Sequence, residues 1–329
     1  MSDGSAGGAR AGSDIDPQLL ERVLRLVKAI SHEVRKVYVG PDPIIEALLV
    51  ALLSKGHILL EGVPGIAKTT LVKTFAQVLD VSYRRIQFTP DLLPSDITGT
   101  YILDMRDNTF VLRKGPLFAN VVLGDEINRA PAKTQSALLE AMQEGQVTIE
   151  GTTEELSDPF LVLATQNPVE QEGVYMLPEA QLDRFLIKLI MGYPSFEDEL
   201  EVMRTHDRPP EKATPILSGG DILELSRLAS RVHMDEELFA YIVRLAQYTR
   251  NHPQADLGAS PRAAIALMKA AKSRALLRGR DYVLPDDIRA LAPLVLAHRI
   301  ILSPEAELNG YTGHDVVSQA IENTRYGRT

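Results

Sequence analysis

The first half of the chain alternates between short apolar runs and longer stretches in which apolar residues recur every three or four positions. Short apolar runs are typical of buried strands, and the longer periodic stretches are typical of helices with one buried face. Because strands alternate with helices, the pattern predicts a mostly parallel five-stranded sheet covered on both faces. The predicted strands are 57–60, 84–88, 121–123, 160–165 and 185–190.

Two further pairs of strand-like runs interrupt this alternation. Runs 100–104 and 109–113 flank a turn containing Asp107 and Asn108, which predicts a β-hairpin. Run 146–150 and the turn beginning at Gly151 predict a second, smaller hairpin. We interpret both hairpins as insertions into the α/β core, near 97–114 and 146–158.

The pattern changes after Met191. A segment at 209–220 that is rich in proline and glycine indicates a linker, and no strand-like run is evident beyond it. The sequence therefore predicts an α/β core followed by a helical lid domain. Four parts are predicted: a disordered tail at 1–15, a core at 16–208, a linker at 209–220 and a lid at 221–329, with lid helices at 221–231, 235–251, 261–278, 286–298 and 313–323.

Composition limits the classes of function. The chain has 329 residues, a net charge of −9 and no cysteine, so disulfides and cysteine–metal sites are excluded. The acidic balance disfavours nonspecific nucleic-acid binding, although a local basic groove remains compatible with it. No segment is apolar and long enough to span a membrane, and the opening residues lack the apolar stretch of a secretory signal. We expect a cytoplasmic protein.

The stretch from Glu61 to Thr70 carries the strongest chemical signal. It follows a predicted strand and precedes a helical stretch near Leu71, so a glycine-containing loop leads into a helix N-terminus that favours an anion. Lys68 is placed to reach terminal phosphates, and Thr69 to hold a magnesium ion. We predict a nucleoside triphosphate site formed by Gly62, Val63, Pro64, Gly65, Ile66, Ala67, Lys68, Thr69 and Thr70.

The loop departs from the usual pattern at one position. Ala67 stands where glycine normally precedes the lysine, and its methyl group crowds a backbone that must approach phosphate closely. The alternative is an ordinary strand–turn–helix with a chance resemblance to the motif. The predicted strand before the loop and the helix after it favour the phosphate site.

Polar residues also follow two later predicted strands, 121–123 and 160–165. Asp125 and Glu126 follow run 121–123, at the strand end where ligands bind in open α/β sheets. Asp125 is placed to hold magnesium through water, and Glu126 to orient or deprotonate an attacking water. Their alternative role is an acidic helix start. Asn167, after run 160–165, is placed to hydrogen-bond that water or the terminal phosphate; its alternative is a turn residue before proline.

Two arginines complete the set of candidates. Arg184 follows a short helical stretch, and an arginine suits phosphoryl transfer because it neutralises developing charge; its alternative is a surface salt bridge with Asp183 or Glu179. Arg262 falls in the first turn of a helix capped by Ser260, where the helix dipole disfavours a cation. That position suggests a nearby anion, and simple solvent exposure is the alternative.

These segments, in this order, resemble the AAA+ ATPases, and within them the MoxR-like group. The resemblance covers roughly position 37 to the C-terminus, and alanine before the lysine is common in that group. The specific blocks are Glu61–Thr69, Asp125–Pro131, Lys133–Glu144, Ala164–Pro168 and Leu177–Phe185.

The resemblance implies a role for each candidate residue. Lys68 and Thr69 are the Walker A pair, Asp125 and Glu126 form Walker B, and Asn167 is sensor 1. Mg²⁺ is then held by Thr69 and Asp125, with ATP or ADP as the nucleotide.

The resemblance also implies roles for more distant positions. Arg184 corresponds to an arginine finger that acts on a neighbouring subunit, and Arg262 to sensor 2. Val39 and Gly40 occupy the positions that contact adenine, although the prolines on either side of Asp42 depart from the family there. The two hairpins correspond to the helix-2 insert and the pre-sensor-1 insert.

The resemblance implies an ATP-hydrolysing motor that works as a homo-oligomer, usually a hexameric ring, with active sites shared between subunits. Its relatives remodel, assemble or activate protein complexes, commonly with a protein that carries a von Willebrand factor A domain. Two alternatives are a motor that translocates nucleic acid and a nucleotide-gated scaffold with negligible hydrolysis. The acidic balance and the acidic tip of the second hairpin disfavour nucleic acid, and the filled catalytic positions disfavour the scaffold.

Overall fold

The structure is a computed structural model that describes residues 15–63, 66–167, 175–208 and 211–327. Short runs of Val, Ile and Leu form its main strands, as expected for segments that are buried on both faces. The strands are β1 (Ile58–Gly62), β2 (Tyr83–Gln87), β3 (Gly99–Asp104), β4 (Thr109–Lys114), β5 (Val121–Asp125), β6 (Gln146–Ile149), β7 (Thr152–Glu155), β8 (Leu161–Gln166), β9 (Ile187–Met191), β10 (Ala255–Leu257) and β11 (Ile301–Leu302).

Thirteen helices surround or follow the sheet in the described part of the chain. They are α1 (Pro17–Arg35), α2 (Asp42–Leu53), α3 (Lys68–Val78), α4 (Pro94–Thr98), α5 (Ala132–Glu144), α6 (Glu179–Leu182), α7 (Phe196–His206), α8 (Gly219–Arg231), α9 (Glu236–Arg250), α10 (Pro261–Leu277), α11 (Pro285–Leu296), α12 (Pro304–Leu308) and α13 (Gly313–Asn323).

The central sheet has five strands in the order β2-β5-β8-β1-β9, and every neighbouring pair is parallel. Since side chains alternate across a strand, Ile58 and Leu60 enter the apolar cluster on one face while Leu59 enters the cluster on the other. The predicted α/β fold with a parallel five-stranded sheet is confirmed.

Each predicted insertion is an antiparallel hairpin. Strands β3 and β4 pair from Gly99 opposite Lys114 to Asp104 opposite Thr109, and β6 pairs with β7. The hairpin prediction is therefore confirmed for both.

The C-terminal part is helical from α8 onward, as predicted. The expectation that strands end after the linker is wrong at one place, because β10 and β11 form a small antiparallel pair. Strands of three and two residues are too short to produce a recognisable alternation. Helix α7 was not predicted either, although Ser195 accepts a capping hydrogen bond from the amide of Asp198.

One apolar cluster joins the core to the lid. It contains buried side chains of α1, α2, α3, the sheet face that carries Ile58, and lid helices α8 to α11. Ile15, which the sequence analysis assigned to the tail, is buried in this cluster at 4% exposure. The predicted linker also packs on the core, since the Ile216 amide donates to the Val78 carbonyl at 2.7 Å and α8 already begins at Gly219. The rest of the predicted tail, 1–14, lies outside the described residues.

Candidate functional site

The phosphate loop connects β1 to α3. Helix α3 begins at Lys68, three residues earlier than the helical pattern indicated, so Lys68, Thr69 and Thr70 form its first turn with amides that are free of intrahelical partners. Ala67 precedes the helix with φ +58°, in the left-handed region that glycine adopts most easily. The alanine therefore accepts a strained conformation that the loop requires. Pro64 and Gly65 lie outside the described residues.

Lys68 turns back toward the loop, where its ammonium donates to the Gly62 carbonyl at 2.6 Å. Burial lowers the pKa of Lys68, while the negative charges of Asp125 and Glu126 act in the opposite direction. A partly desolvated ammonium beside a helix N-terminus is a strong attractant for phosphate.

Asp125 ends β5 and is held on both oxygens. Thr165 of β8 donates its hydroxyl to Oδ1 at 2.6 Å, and Arg85 of β2 donates to Oδ2 at 2.6 Å. The same Thr165 hydroxyl accepts a hydrogen bond from the backbone amide of Glu126 at 2.9 Å. One hydroxyl thus fixes the relative position of the two acidic residues.

Glu126 follows directly, with φ +57°. Gln87 of β2 donates to its Oε2 at 2.8 Å, and the guanidinium of Arg129 lies 3.2 Å from the same oxygen. A left-handed backbone at a non-glycine residue stores strain of the kind that collects at functional sites. The carboxylate is therefore held in one orientation by two neighbours.

One cavity of about 340 Å³ lies at the carboxyl ends of the strands, and its wall includes Lys68, Arg85, Gln87, Asp125, Glu126 and Thr165. Asn167, which is 7% exposed, lies in the wall beyond the end of β8. The structure thus brings together most of the predicted phosphate-site residues. The predicted residues that line this cavity are Gly62, Ala67, Lys68, Thr69, Asp125, Glu126 and Asn167.

The cavity suits a triphosphate with magnesium. Within the described ranges no group of three or more His, Asp or Glu side chains forms a closed metal site. An open set of one hydroxyl, from Thr69, and one carboxylate, from Asp125, fits Mg²⁺, which usually takes its other ligands from phosphates and water. When bound, Mg²⁺ would supply positive charge to neutralise the phosphates.

A second cavity, of about 420 Å³, contains the predicted adenine positions Val39 and Gly40. It is lined by Tyr38 and Ile66 from the core and by Leu294 and His314 from the lid. Ile66 directly precedes Ala67, which lines the phosphate cavity, so the loop contributes a residue to each cavity. The second cavity is therefore lined by both core and lid.

Neither of the two predicted arginines, Arg184 and Arg262, is among the described residues that line these two cavities. Arg184, at the end of the segment after α6, donates to the Leu139 carbonyl of its own α5 at 3.0 Å. Arg262 lies exposed in the first turn of α10, after the predicted cap, since Ser260 accepts the amide of Ala263 at 3.2 Å. Both roles stay predictions.

Sequence reasoning missed Arg85, Gln87 and Thr165. Arg85 and Gln87 are two positions apart on β2 and so share a face, and Gln87 pairs directly with Asp125 across the parallel ladder. Their polar character in an otherwise sheet-like run was a signal. Its meaning depended on β2 being the neighbour of β5, which the sequence did not indicate.

The strand order, the phosphate loop after β1, the acidic pair ending β5 and the helical lid together define the fold of an AAA+ ATPase. Residues 57–187 match the ATPase family associated with various cellular activities (AAA), and residues 247–320 match the AAA lid domain.

Relatives are similar over most of their length. Chaperone MoxR1 of Mycobacterium tuberculosis is 48% identical over 92% of this chain and 83% of its own, and the uncharacterized protein YeaC of Bacillus subtilis is 52% identical over 89% and 92%. A crystal structure of an ATPase candidate from Cytophaga hutchinsonii has a TM-score of 0.89 and 46% identity, over 94% of this chain and 98% of that one. The chain belongs to the MoxR-like family of AAA+ ATPases.

Across the described ranges, none of the helices combines the length and the apolar character that crossing a bilayer requires.

Proposed function

We propose that this protein hydrolyses ATP to ADP and phosphate with the help of Mg²⁺. The observation that carries the proposal is the cavity in which Lys68, Thr69, Asp125, Glu126 and Asn167 meet at the carboxyl ends of parallel strands. That edge of a parallel sheet is where nucleotides bind in this class of fold.

Each residue has a defined task in this proposal. Lys68 and the first turn of α3 bind the phosphates, and Thr69 and Asp125 hold the magnesium. Glu126 accepts a proton from the attacking water. Gln87 and Arg129 both hold Oε2, so Oε1 is the oxygen that takes the proton. Asn167 orients the water or the terminal phosphate, and Val39 and Gly40 contact the adenine.

The active site is completed by a second copy of the chain in a homo-oligomeric ring, which we propose is a hexamer. Arg184 contacts the nucleotide bound to the neighbouring subunit, and Arg262 of the lid contacts the nucleotide bound to its own subunit. The location of Arg184 outside the cavity of its own chain supports a role in the neighbour.

The energy of hydrolysis serves to remodel, assemble or activate protein complexes, as the name of the relative Chaperone MoxR1 suggests. The hairpin of β3 and β4 exposes large apolar side chains, with Met105 at 83% and Phe110 at 72% exposure. Such a surface suits a protein client and is poorly equipped for a phosphate backbone. A partner with a von Willebrand factor A domain belongs to the same proposal.

Substituting Glu126→Gln tests the proposal. The variant should bind ATP as the wild type does and lose at least about 100-fold in kcat, because a positioned general base contributes that much. Glu140→Gln, on the exposed side of α5, is the matched control and should retain turnover. Wild-type turnover by Glu126→Gln would refute the assignment. The ATP-bound variant also serves to capture the client by pull-down.

A further inference from the structure

A buried arginine of the lid holds the segment that carries Arg184. Arg299 follows α11 and its side chain is only 4% exposed. Its guanidinium donates to Asp183 Oδ1 at 2.8 Å and to the Phe185 carbonyl at 2.7 Å. Weaker bonds reach the carbonyls of Asp183 at 3.2 Å and Leu186 at 3.5 Å. The main chain is therefore held on both sides of Arg184.

The adjacent lid residue strengthens this contact. His298 bonds through Nε2 to the same Phe185 carbonyl at 3.0 Å. Arg299 is also anchored within the lid, since it donates to the Val295 carbonyl of α11. A single planar side chain thus connects a lid helix to the core segment before β9.

Arg262, the lid residue proposed to contact the nucleotide, is close enough to Arg299 for its positive charge to act there. Burial has the largest effect on the pKa of Arg299 and lowers it. The negative charge of Asp183 raises this pKa, and the positive charge of Arg262 lowers it further. Arg262 belongs to lid helix α10, and Arg184 to the core segment that Arg299 holds.

The simplest alternative is a brace that only stabilises the fold. The chain offers such a brace for comparison, because Arg278, directly after α10, donates to both oxygens of Glu46 on α2, at 3.0 and 2.8 Å. That pair also joins lid to core, but Arg278 is 54% exposed and its partner is a helix side chain. Arg299 differs because it is buried and binds the backbone that flanks a proposed catalytic arginine.

We propose that Arg299 is a positioning residue that couples the lid of one subunit to the arginine delivered to its neighbour. Movement of the lid on nucleotide binding or release would move Arg299, and with it the Asp183–Leu186 segment that places Arg184. The inference rests on the proposed function, in which Arg184 acts in the neighbouring subunit.

Mixed oligomers test this coupling. Subunits with Glu126→Gln have an inactive site but supply Arg184, and subunits with Arg184→Ala have an intact site but supply no arginine. Neither should hydrolyse ATP alone, and their mixture should regain activity at the junctions where an intact site meets an intact Arg184. Arg299→Lys is then added to one or the other kind of subunit.

Arg299→Lys in the subunits that supply Arg184 should lower the activity of the mixture by about tenfold or more, because small misplacements of a catalytic group cost up to about 100-fold. The same substitution in the Arg184→Ala subunits should leave the activity unchanged. Arg278→Lys, the control brace, should have no effect in either kind of subunit. This asymmetry distinguishes positioning from general stabilisation, which would act in both.

Equal losses in both arrangements, or no loss in either, would overturn the inference. If Arg299→Lys subunits fail to fold or to bind ATP, Asp183→Asn carries the same test from the other side of the ion pair. Failure of the proposed function is distinguishable, because it appears before Arg299 is altered. The wild type would then not hydrolyse ATP, or the mixture of the first two variants would regain no activity.

Discussion

Arg85 donates two hydrogen bonds to one carboxylate oxygen of Asp125, from Nε at 3.1 Å and from Nη2 at 2.6 Å. The carboxylate that we propose to hold magnesium is therefore paired with a cation from the neighbouring strand. Asp125 is largely buried at 15% exposure, whereas Arg85 is 47% exposed. Binding of Mg²⁺ near Asp125 would compete electrostatically with this arginine.

Replacing Arg85 by Gln should strengthen magnesium binding. Removing a half-exposed ion pair is worth up to about 1 kcal/mol, which corresponds to about a fivefold lower half-saturating Mg²⁺ concentration. The measurement is the binding of a fluorescent ATP analogue at increasing Mg²⁺ concentrations. It uses proteins that also carry Glu126→Gln, so that hydrolysis does not interfere. Arg84→Gln, one position earlier and on the opposite face of β2, is the control. An unchanged or weaker Mg²⁺ dependence in Arg85→Gln would contradict the competition.

The hydroxyl of Thr165 predicts a second effect. Thr165→Val keeps the shape of the side chain but leaves Asp125 and the Glu126 amide without their shared partner, at a cost of about 1–3 kcal/mol. We expect at least a tenfold lower kcat, on the order of the effect of a misplaced catalytic group. Thr165→Ser retains the hydroxyl and should restore most of the activity in steady-state assays. Equal activity of the Val and Ser variants would show that the hydroxyl is dispensable.

The sequence was sufficient for features that depend on local pattern. The five strands of the central sheet, both hairpins and the loop from Glu61 to Thr70 follow from runs of apolar residues and from the spacing of glycine and lysine. Asp125 and Glu126 could be placed at the site because the carboxyl ends of parallel strands share one edge. These predictions need only periodicity and the geometry of a parallel sheet.

Features that depend on which elements are neighbours were beyond the sequence. The contact of Arg85 with Asp125 requires β2 to lie beside β5, and the contact of Arg299 with Asp183 requires a particular seating of the lid. Helix α7 was missed for a different reason, because Phe196 and Met203 are 76% and 71% exposed and no buried stripe marks it. A local sequence pattern carries no information about the long-range contacts of Arg85 and Arg299.

A buried histidine at the other end of the sheet predicts a pH dependence of stability. The Val162 amide donates to His57 Nδ1 at 3.0 Å, so Nε2 carries the proton and donates it to the Met142 carbonyl at 2.8 Å. Burial lowers the pKa of His57 to about 4, although the bond to Met142 opposes this. The folded protein therefore keeps His57 neutral at a pH where the unfolded chain binds a proton.

The sign of the effect follows from this difference. The unfolded histidine titrates near 6.5 and the folded one near 4, so stability is present above about pH 6.5 and is lost as the pH falls toward 4. Between about pH 7 and pH 5 the wild type should lose about 2 kcal/mol through His57. The free energy of unfolding is measured with urea at both pH values. Between them His57→Asn should lose about 2 kcal/mol less than the wild type does. The exposed His32→Asn is the control, and a loss as large in His57→Asn as in the wild type would contradict the assignment.

A buried carboxylate, that of Asp287, connects several elements of the lid. Asp287 of α11 is fully buried and accepts hydrogen bonds from Arg274 at 2.7 Å, from Arg280 at 2.7 and 2.8 Å, and from the Leu284 amide at 2.8 Å. Arg274 also lies 3.2 Å from Glu46 of α2, so the cluster reaches the core. Every oxygen of this carboxylate is thus used by charged or backbone donors.

Asp287→Asn should destabilise the protein by about 3 kcal/mol or more, because the neutral amide leaves Arg280 without its carboxylate and Arg274 with Glu46 alone, and both guanidinium groups are largely buried, at 20% and 18% exposure. Urea unfolding followed by circular dichroism measures the loss. The adjacent Asp286→Asn removes an 81% exposed ion pair with Arg289 and should change stability by less than about 1 kcal/mol. If the two variants unfold at the same urea concentration, the buried cluster contributes no more than an ordinary surface pair. A lower midpoint in Asp287→Asn alone would show that the buried cluster stabilises the protein more than the exposed pair does.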